Sequence, residues 1–463
     1  MTGEGEASKR HLMKSKKKTI AKSSPHVSPV LQRHFKTSAL HDLVTCSRVF
    51  PLTARADLQS ALEAVMKKNS AGTKQLGVHQ RYSHEKLTFA TLAAVGNDAP
   101  TIGPLQHEEI DTGGPVPVRC LAQCLWLCEH AKERFAVLLS PATAYGRNSG
   151  LHVEIAQLNN STKTSLGQKL IHEIEKLLAL AQSYRGKVIS LEKLDDYSGK
   201  SGGVKVHKLR SVSRDQVILP DKTLRLLERN VTDFIQQRER LRDLNMSLKK
   251  GLLFYGPPGT GKTHTIHYLA SQLPDHTTLL ITAEEVGLLS EYMQLARFLQ
   301  PAMVVLEDVD LIARSRGSMR GPCEESLLNK LLNEMDGLRE DAMLLFVLTT
   351  NRPQDLEVAL ASRPGRVDQA IEFPLPDEDG RRKLIKLYAG NLKLNDRLVT
   401  TLVRKTKNSS AAFIKELMRR SAQFMVQAGD SHELTARQVE EALDEMLFAG
   451  GSLNVKLLGG ATS

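Results

Sequence analysis

The second half of the chain alternates short apolar runs with longer stretches that have helical spacing. A continuous apolar run predicts a parallel strand with both faces buried, because helices cover both sides of such a sheet. The helical patterns between most of the runs predict those covering helices. Five runs fit this description: Leu252–Tyr255, Leu279–Ile281, Met303–Leu306, Leu344–Leu348 and the weaker Ile371–Phe373.

Helical patterns also precede and follow the predicted strands. Asp221 is predicted to cap a helix in front of the first run. Beyond Pro374 the strand pattern stops, and residues 378–448 predict helices only. Thr435, with Gln438 three positions later, predicts a capping box for the last of them. A parallel-sheet region followed by a helical one is therefore expected.

The first half of the chain predicts a different architecture. Ala56–Met66 and Leu166–Tyr184 have helical spacing, whereas Phe135–Leu139 and Leu151–Ile155 are short β-type runs separated by a loop. These elements predict a small mixed α/β domain over residues 38–195. Its role does not follow from the pattern.

Changes in composition divide the chain into six predicted regions. The first 37 residues are rich in Lys, Ser and Pro and lack periodicity, which predicts disorder. A stretch with three glycines near residue 200 predicts a linker. The regions are a disordered basic tail at 1–37, the mixed α/β domain at 38–195, a linker at 196–204, a large αβα domain at 205–375, a helical domain at 376–450 and a tail at 451–463.

The net charge of +11 is concentrated at one end of the chain. Residues 1–36 carry nine Lys or Arg against two Glu, a local charge of +7, and the other residues carry +4. Such a tail is suited to nucleic acid or an acidic surface, and a solvated, disordered leader is the simpler alternative. Because no apolar run approaches the roughly 20 residues of a membrane span and the cysteines are few and uneven, the composition favours a cytoplasmic protein.

A glycine-rich loop follows the first predicted strand. Gly256-Pro-Pro-Gly-Thr-Gly-Lys262-Thr263 lies between that strand and a predicted helix, Thr263–Leu273. Glycines let several backbone N–H groups point at phosphate oxygens, and the helix N-terminus adds its dipole. The lysine is expected at the β- and γ-phosphates and the last hydroxyl at Mg²⁺. The predicted nucleotide-binding residues are Gly256, Pro257, Pro258, Gly259, Thr260, Gly261, Lys262, Thr263 and His264.

Polar side chains follow two later strands. Glu307 and Asp308 come directly after Met303–Leu306. Successive strand residues point to opposite faces, so one carboxylate is expected at Mg²⁺ and the other at the attacking water. Asn351 follows Leu344–Leu348 at the strand end where ligands of parallel sheets collect, and is expected to bond the γ-phosphate or the water.

Two arginines flank a rigid turn in Arg363-Pro-Gly-Arg366. Arginine stays charged and grips phosphate in two places. Neither residue has to reach the nucleotide of its own subunit, so either is a candidate arginine finger on the ATP of a neighbour. A basic surface turn is the alternative.

In the order and spacing of these motifs, residues 205–448 resemble the ATPase module of the AAA family. The resemblance implies a five-stranded αβα domain with a helical lid, ATP and Mg²⁺ as ligands with Thr263 and Glu307 at the metal, and a ring of subunits, usually a hexamer. It also implies that hydrolysis remodels protein clients. The matching features are the phosphate loop, the Walker B stretch Met303–Asp310, the helix Leu327–Gly337, Asn351 as sensor 1 and Arg363 and Arg366 as arginine fingers.

Two departures from the family pattern affect the expected activity. The usual Walker B order is Asp then Glu, whereas this chain has Glu307 then Asp308. By position Asp308 polarises the water, and because its side chain is one methylene shorter, slow hydrolysis is expected. Threading members also carry an aromatic–aliphatic–glycine loop, which Val286-Gly287 matches only in part, and this weakens the case for threading.

Cys120, Cys124 and Cys128 recur at intervals of four residues. This interval places them on one face of a helix, and a buried cysteine stripe is expected there. A metal site is the less favoured interpretation, because the spacing matches no known cluster signature.

Three functions remain open at this point. The leading hypothesis is an ATP-driven remodeller of a protein client or complex. A nucleotide-gated scaffold with incidental turnover is the second. The third is a nucleic-acid-associated ATPase that uses the basic tail, for which binding would depend steeply on salt.

Overall fold

The computed structural model describes residues 25–70, 72–81, 86–130, 133–144, 147–159, 166–180, 183–193, 201–314, 330–331, 333–354, 366–429 and 433–449. The chain divides into two compact units that do not follow the sequence order. The first comprises Met1–Val49, Met66–His107 and Leu121–Ile171, and the second comprises Phe50–Val65, Glu108–Cys120 and His172–Ser463.

The first half of the chain forms a seven-stranded sheet. Its strands are β1 Leu43–Phe50, β2 Gly72–His79, β3 Thr101–Gly103, β4 Gln106–Ile110, β5 Val118–His130, β6 Glu133–Ala144 and β7 Arg147–Leu158. The order is β1-β7-β6-β5-β2-β3, with β4 paired to β5. The two predicted β-type runs lie in β6 and β7, which pair antiparallel. The helices are Val27–Phe35, Arg55–Asn69, Phe89–Leu92 and Leu166–Ala179.

The predicted disorder of residues 1–37 is wrong for its last part, where Val27–Phe35 is a helix. Val27, Leu31 and Phe35 are buried in the core of the first unit. They recur every four residues and so form one apolar stripe, which the Ser, Pro and Lys residues around them conceal in the composition. Residues 1–24 lie outside the described residues.

The three regularly spaced cysteines lie on a strand, β5, and the predicted helix is wrong. Four is an even number, so residues at this interval share one face of a strand just as they share one face of a helix. Cys120, Cys124 and Cys128 are buried and unpaired, as a buried stripe requires. Burial raises the pKa of Cys124 to about 12 and that of Cys128 to about 11, which keeps both thiols protonated.

The second unit is built on another seven-stranded sheet. Its strands are β8 Val188–Lys193, β9 Ser201–His207, β10 Lys250–Tyr255, β11 Thr277–Ile281, β12 Ala302–Leu306, β13 Leu344–Thr350 and β14 Gln369–Glu372. The order is β14-β10-β13-β12-β11-β8-β9. The five strands from β14 to β11 contain four of the predicted runs and overlap the fifth, since β14 ends one residue before Phe373, and they pair in parallel.

Helices cover both faces of this sheet, as the apolar runs predicted. Alternate residues of β12 enter two separate cores: Val304 belongs to one and Val305 to the other. Asp221 is the first residue of its helix and Pro220 precedes it as the N-cap, so the predicted cap lies one residue too late. The described helices are Asp221–Glu228, Phe234–Gln236, Arg238–Asp243, Lys262–Gln272, Leu289–Phe298 and Val309–Arg314.

Strands β8 and β9 extend the sheet beyond the five strands that the family resemblance implies. β8 pairs parallel with β11, and β9 pairs antiparallel with β8. The linker predicted at 196–204 is therefore wrong from Ser201 onward, because Gly202 and Gly203 lie in the edge strand β9. Residues of the N-terminal half adjoin this edge: a Cβ at Gly113 would lie 2.6 Å from Val206 Cγ1.

The helical domain predicted at the C-terminal end is confirmed in the described residues. Its helices begin after capping side chains that accept a backbone N–H, and Thr435 with Gln438 forms the predicted capping box. The helices are Glu378–Ala389, Asp396–Lys405, Ala411–Gln427 and Ala436–Asp444. Among all described helices, none combines the length and the apolar character that crossing a bilayer requires.

A buried histidine is expected to make stability depend on pH. His276, 8% exposed, accepts a hydrogen bond at Nε2 from the Arg238 guanidinium, 2.9 Å away. Burial, assisted by the Arg238 charge, lowers the His276 pKa from 6.5 to about 4. Between these values the unfolded chain binds more protons, so stability is lost as pH falls from 6.5 toward 4, by at most about 3 kcal/mol from this residue.

Replacing His276 by Gln removes the titrating group and should flatten the fall in stability between pH 7 and pH 5. Chemical denaturation at the two pH values measures the effect, with the exposed His172→Gln as the matched control. If the free energy of unfolding falls equally between pH 7 and pH 5 in the parent and in His276→Gln, His276 is not the group responsible.

Candidate functional site

The phosphate loop connects the end of β10 to the helix Lys262–Gln272. Three of its glycines have positive φ: +146° at Gly256, +75° at Gly259 and +101° at Gly261. A Cβ at Gly256 would lie only 2.2 Å from the carbonyl oxygen of Phe373. These positions therefore require glycine, both for the left-handed backbone and for the close approach.

A cavity of about 400 Å³ lies above this loop at the carboxyl ends of the strands. Most of the residues predicted to bind nucleotide line it. Asp308 and Asn351 line it as well, on the side of β12 and β13. The residues of the loop that line it are Pro258, Gly259, Thr260, Gly261, Lys262, Thr263 and His264.

Lys262 is 7% exposed and turns back over its own loop. Its Nζ donates to the carbonyl oxygens of Gly256 and Pro257, at 2.8 and 3.0 Å, and to Asn351 Oδ1 at 2.8 Å. Burial lowers the pKa of Lys262, while the charges of Asp308 and Asp310 act in the opposite direction. The ammonium group is thus held at the floor of the cavity, where an anion would meet it.

A hydrogen-bonded chain links Lys262 to the acidic side of the cavity. Asn351 accepts from Lys262 and donates through Nδ2 to Asp308 Oδ1, 3.1 Å away. Asp310 lies beneath it: its Oδ1 accepts from Thr350 Oγ1 at 2.8 Å and from Asn351 N at 3.0 Å. Asp310 is buried, so these two bonds fix the strand end that carries Asn351.

Glu307 follows directly after the end of β12, next to Asp308. It does not line the cavity, and its charge acts on His267, raising a pKa that burial lowers. His267 is four residues after Thr263, so the two share one face of the helix. The exposed Thr263 is thus on the helix face on which the charge of Glu307 acts. The two oxygen donors suit Mg²⁺, which takes one or two protein ligands beside the phosphates.

Arg366 is far from the nucleotide cavity along the strand direction. Its carbonyl oxygen adjoins Gly251, near the start of β10, whereas the phosphate loop follows the end of that strand. The guanidinium is 12% exposed and forms an ion pair with Asp336 through Nε and Nη2. Arg363 lies outside the described residues.

Several cavity residues were missed by sequence reasoning. Gln216–Leu219 supply one wall, and the His264 ring nitrogen bonds to the Gln216 carbonyl oxygen at 3.1 Å. These residues belong to none of the motifs on which sequence reasoning relied, so the wall was not predicted. The C-terminal helical domain, called the lid below, also lines the cavity. It supplies Leu384, Tyr388, Ala411, Ala412 and Lys415.

The lid is tied directly to the phosphate loop. Ala412, in the first turn of the helix Ala411–Gln427, donates its N–H to the Gly259 carbonyl oxygen at 3.1 Å. A Cβ at Gly259 would lie 2.8 Å from the Ala412 Cβ. The motion of this helix and the shape of the loop are therefore coupled.

The segment that follows β11 folds against the sheet. Ala283–Leu288 is a 3₁₀ helix, and its Val286 and Leu288 are buried. Tyr292 is buried too, and its hydroxyl accepts from Leu191 N at 2.7 Å and donates to Glu285 at 3.2 Å. Val286 and Tyr292 are therefore both buried, and neither side chain is presented to solvent as a pore loop would require.

Comparison with known proteins agrees with this geometry. Residues 252–375 match the family described as "ATPase family associated with various cellular activities (AAA)". The chain contains an AAA ATPase domain. Its phosphate loop, the ends of β12 and β13 and β14 all lie within the matched range.

Relatives of this AAA domain include energy-dependent enzymes of archaea and bacteria. A proteasome-activating nucleotidase of Methanothermobacter thermautotrophicus is 30% identical over 258 residues, which cover 53% of this chain and 62% of the relative. The ATP-dependent zinc metalloprotease FtsH 2 of Symbiobacterium thermophilum is 32% identical over 233 residues, covering 48% and 39%. The chain thus spans less than two thirds of either relative, and the similarity covers about half of the chain.

Proposed function

We propose that this protein binds ATP with Mg²⁺ and hydrolyses it. The observation that carries the proposal is the hydrogen-bonded chain Lys262–Asn351–Asp308, which joins the phosphate loop to a carboxylate within one cavity. A cation and a base on opposite sides of a γ-phosphate are what phosphoryl transfer to water requires.

Each residue of the site has a distinct proposed role. Lys262 holds the β- and γ-phosphates, and the N–H groups of Gly259, Thr260 and Gly261 bind phosphate oxygens. Thr263 and Glu307 would hold Mg²⁺, which supplies charge neutralisation at the phosphates when bound. Asp308 accepts a proton from the attacking water, and Asn351 orients that carboxylate through their 3.1 Å bond. Slow turnover is expected, because the Asp308 carboxylate is set back from the usual position of a Glu by roughly 1–1.5 Å.

The proposed site is completed by a second copy of the chain. Arg366 lies at the opposite end of β10 from the phosphate loop, so it does not serve its own nucleotide, and it would leave its ion pair with Asp336 to reach the nucleotide of a neighbour. A head-to-tail contact that closes by rotation produces a ring, and a hexamer is the expected size. Arg363 has the same proposed role; which of the two acts in trans is a question for the variants below.

Mixing two inactive variants tests hydrolysis and the shared site together. Lys262→Ala destroys the subunit's own site but keeps its arginines, and Arg366→Ala keeps the site but removes the arginine. Each is expected to lose nearly all phosphate release; an arginine finger contributes about 10³-fold or more, so Arg366→Ala should retain about 0.1% of the parental rate or less. In a mixed ring, some interfaces pair an intact Lys262 with an intact Arg366, so activity should reappear on mixing.

The control is a mixture of Lys262→Ala with Lys262→Ala/Arg366→Ala, which restores no interface. Restoration in the first mixture alone supports a shared site. If Arg366→Ala alone keeps the parental rate, Arg366 is not the finger, and the same mixing with Arg363→Ala assigns the role to the other arginine or to neither.

The remaining parts of the proposal concern what hydrolysis drives. A protein client or complex is proposed because the relatives are, by name, a proteasome-activating nucleotidase and ATP-dependent proteases. A cytoplasmic location is also proposed, and the free cysteines Cys46, Cys120, Cys124 and Cys128 support it.

A further inference from the structure

Thr349 is a buried polar residue at the nucleotide cavity to which the proposed reaction assigns no role. It is the last residue but one of β13, is 2% exposed and lines the cavity. Its Oγ1 accepts the backbone N–H of Asp308 at 2.9 Å. Because Leu306 is paired with Leu348, Thr349 stands beside the point at which β12 ends.

The backbone of Asp308 is not set by strand geometry. β12 ends at Leu306, and Asp308 has φ +49°, in the left-handed region. Asp tolerates this region better than most residues, but it is not the default conformation of any L-residue with a side chain. The direction of the Asp308 carboxylate therefore depends on whatever holds its amide in place, and that group is the Thr349 hydroxyl.

The end of β13 thus holds Asp308 by two hydrogen bonds. Thr349 binds the amide of Asp308, and Asn351, two residues further on, binds its carboxylate at 3.1 Å. The bonds from Asp310 to Thr350 and Asn351 fix this strand end in turn. Two contacts from one rigid element determine both the position and the direction of the carboxylate.

We propose that Thr349 is a positioning residue that aims the short Asp308 carboxylate at the attacking water and so offsets the missing methylene. The inference rests on the proposed hydrolysis of ATP. Thr349 does not touch the substrate in this role; it acts through the backbone of Asp308.

Thr349→Val is nearly isosteric and removes the acceptor. We expect kcat for ATP to fall about tenfold or more, since one lost hydrogen bond of about 1.4 kcal/mol at the transition state has this effect. KM should stay within about twofold, because the phosphate loop is untouched. Thr349→Ser keeps the hydroxyl and should restore kcat to within about threefold of the parent.

Two comparisons separate positioning from packing. Thr278→Val makes the same change at a buried position of β11, 1% exposed, and should leave kcat unchanged. In an Asp308→Asn background, Thr349→Val should cause no further loss, since both changes act on the same carboxylate. Binding of a fluorescent ATP analogue shows that each variant is folded at its nucleotide site.

The inference is wrong if Thr349→Val turns over ATP like the parent, if Thr349→Ser is as slow as Thr349→Val, or if Thr349→Val costs as much in the Asp308→Asn background as in the parent. The proposed function survives these results as long as the parent hydrolyses ATP and Lys262→Ala does not. A parent without turnover overturns both.

Discussion

Lys262→Ala should weaken ATP binding by about 100-fold or more. Among the described residues of the phosphate loop, Lys262 is the one that places a positive charge at the floor of the cavity, and the substitution removes this charge. Each hydrogen bond from a charged donor contributes about 1.5–3 kcal/mol, and the ammonium is expected to reach two phosphates. Titration with a fluorescent ATP analogue, with Mg²⁺ and with EDTA, measures the loss.

The matched control is Lys386→Ala, a change at an exposed lysine of the lid helix Glu378–Ala389. It should bind nucleotide like the parent. Since Lys262 also bonds to Asn351, the thermal stability of Lys262→Ala without nucleotide should be compared as well. Equal affinity of Lys262→Ala and the parent would remove the basis of the proposed function.

Asp308→Asn should abolish most turnover and preserve binding. The amide keeps the shape of the side chain but no longer accepts a proton, and loss of a general base costs about 10²- to 10⁴-fold. The expected result is a fall in kcat with little change in the affinity for ATP, measured by phosphate release and by nucleotide titration.

Glu284→Gln provides the control for Asp308→Asn, since it removes an exposed carboxylate outside the cavity. Unchanged turnover in Asp308→Asn would show that the base is another group, and Glu307→Gln would then be the next variant to examine. A trapped ATP-bound Asp308→Asn protein is also suited to capturing a client.

Sequence reasoning succeeded where a local pattern and a chemical requirement coincide. The loop at Gly256–Thr263 combines a strand, positive-φ glycines and a helix start in one short stretch, so its shape follows from the sequence. Strand alternation predicted different sides for Glu307 and Asp308; Asp308 lines the cavity and Glu307 does not, but both follow the end of β12, so the prediction stays a prediction.

Sequence reasoning failed where the deciding contact is distant in the chain or leaves no side-chain signature. The cysteine interval on β5 fits a helix and a strand equally, so only the neighbouring strands decide between them. Gln216–Leu219 line the cavity without belonging to a recognised motif, and Arg366 was predicted as a finger without its partner Asp336. These features depend on tertiary contacts, which periodicity does not report.

Strands β8 and β9 change which parts of the chain have to be kept together for the second unit to fold. β8, β9 and the stretches Phe50–Val65 and Glu108–Cys120 belong to the same compact unit as the phosphate loop. Cutting the gene at residue 205 would strip β11 of its neighbour and leave a hydrophobic strand with open hydrogen-bonding groups, which favours aggregation. The compact unit that carries the phosphate loop is therefore interleaved in sequence, and a shortened version for biochemistry has to retain both early stretches.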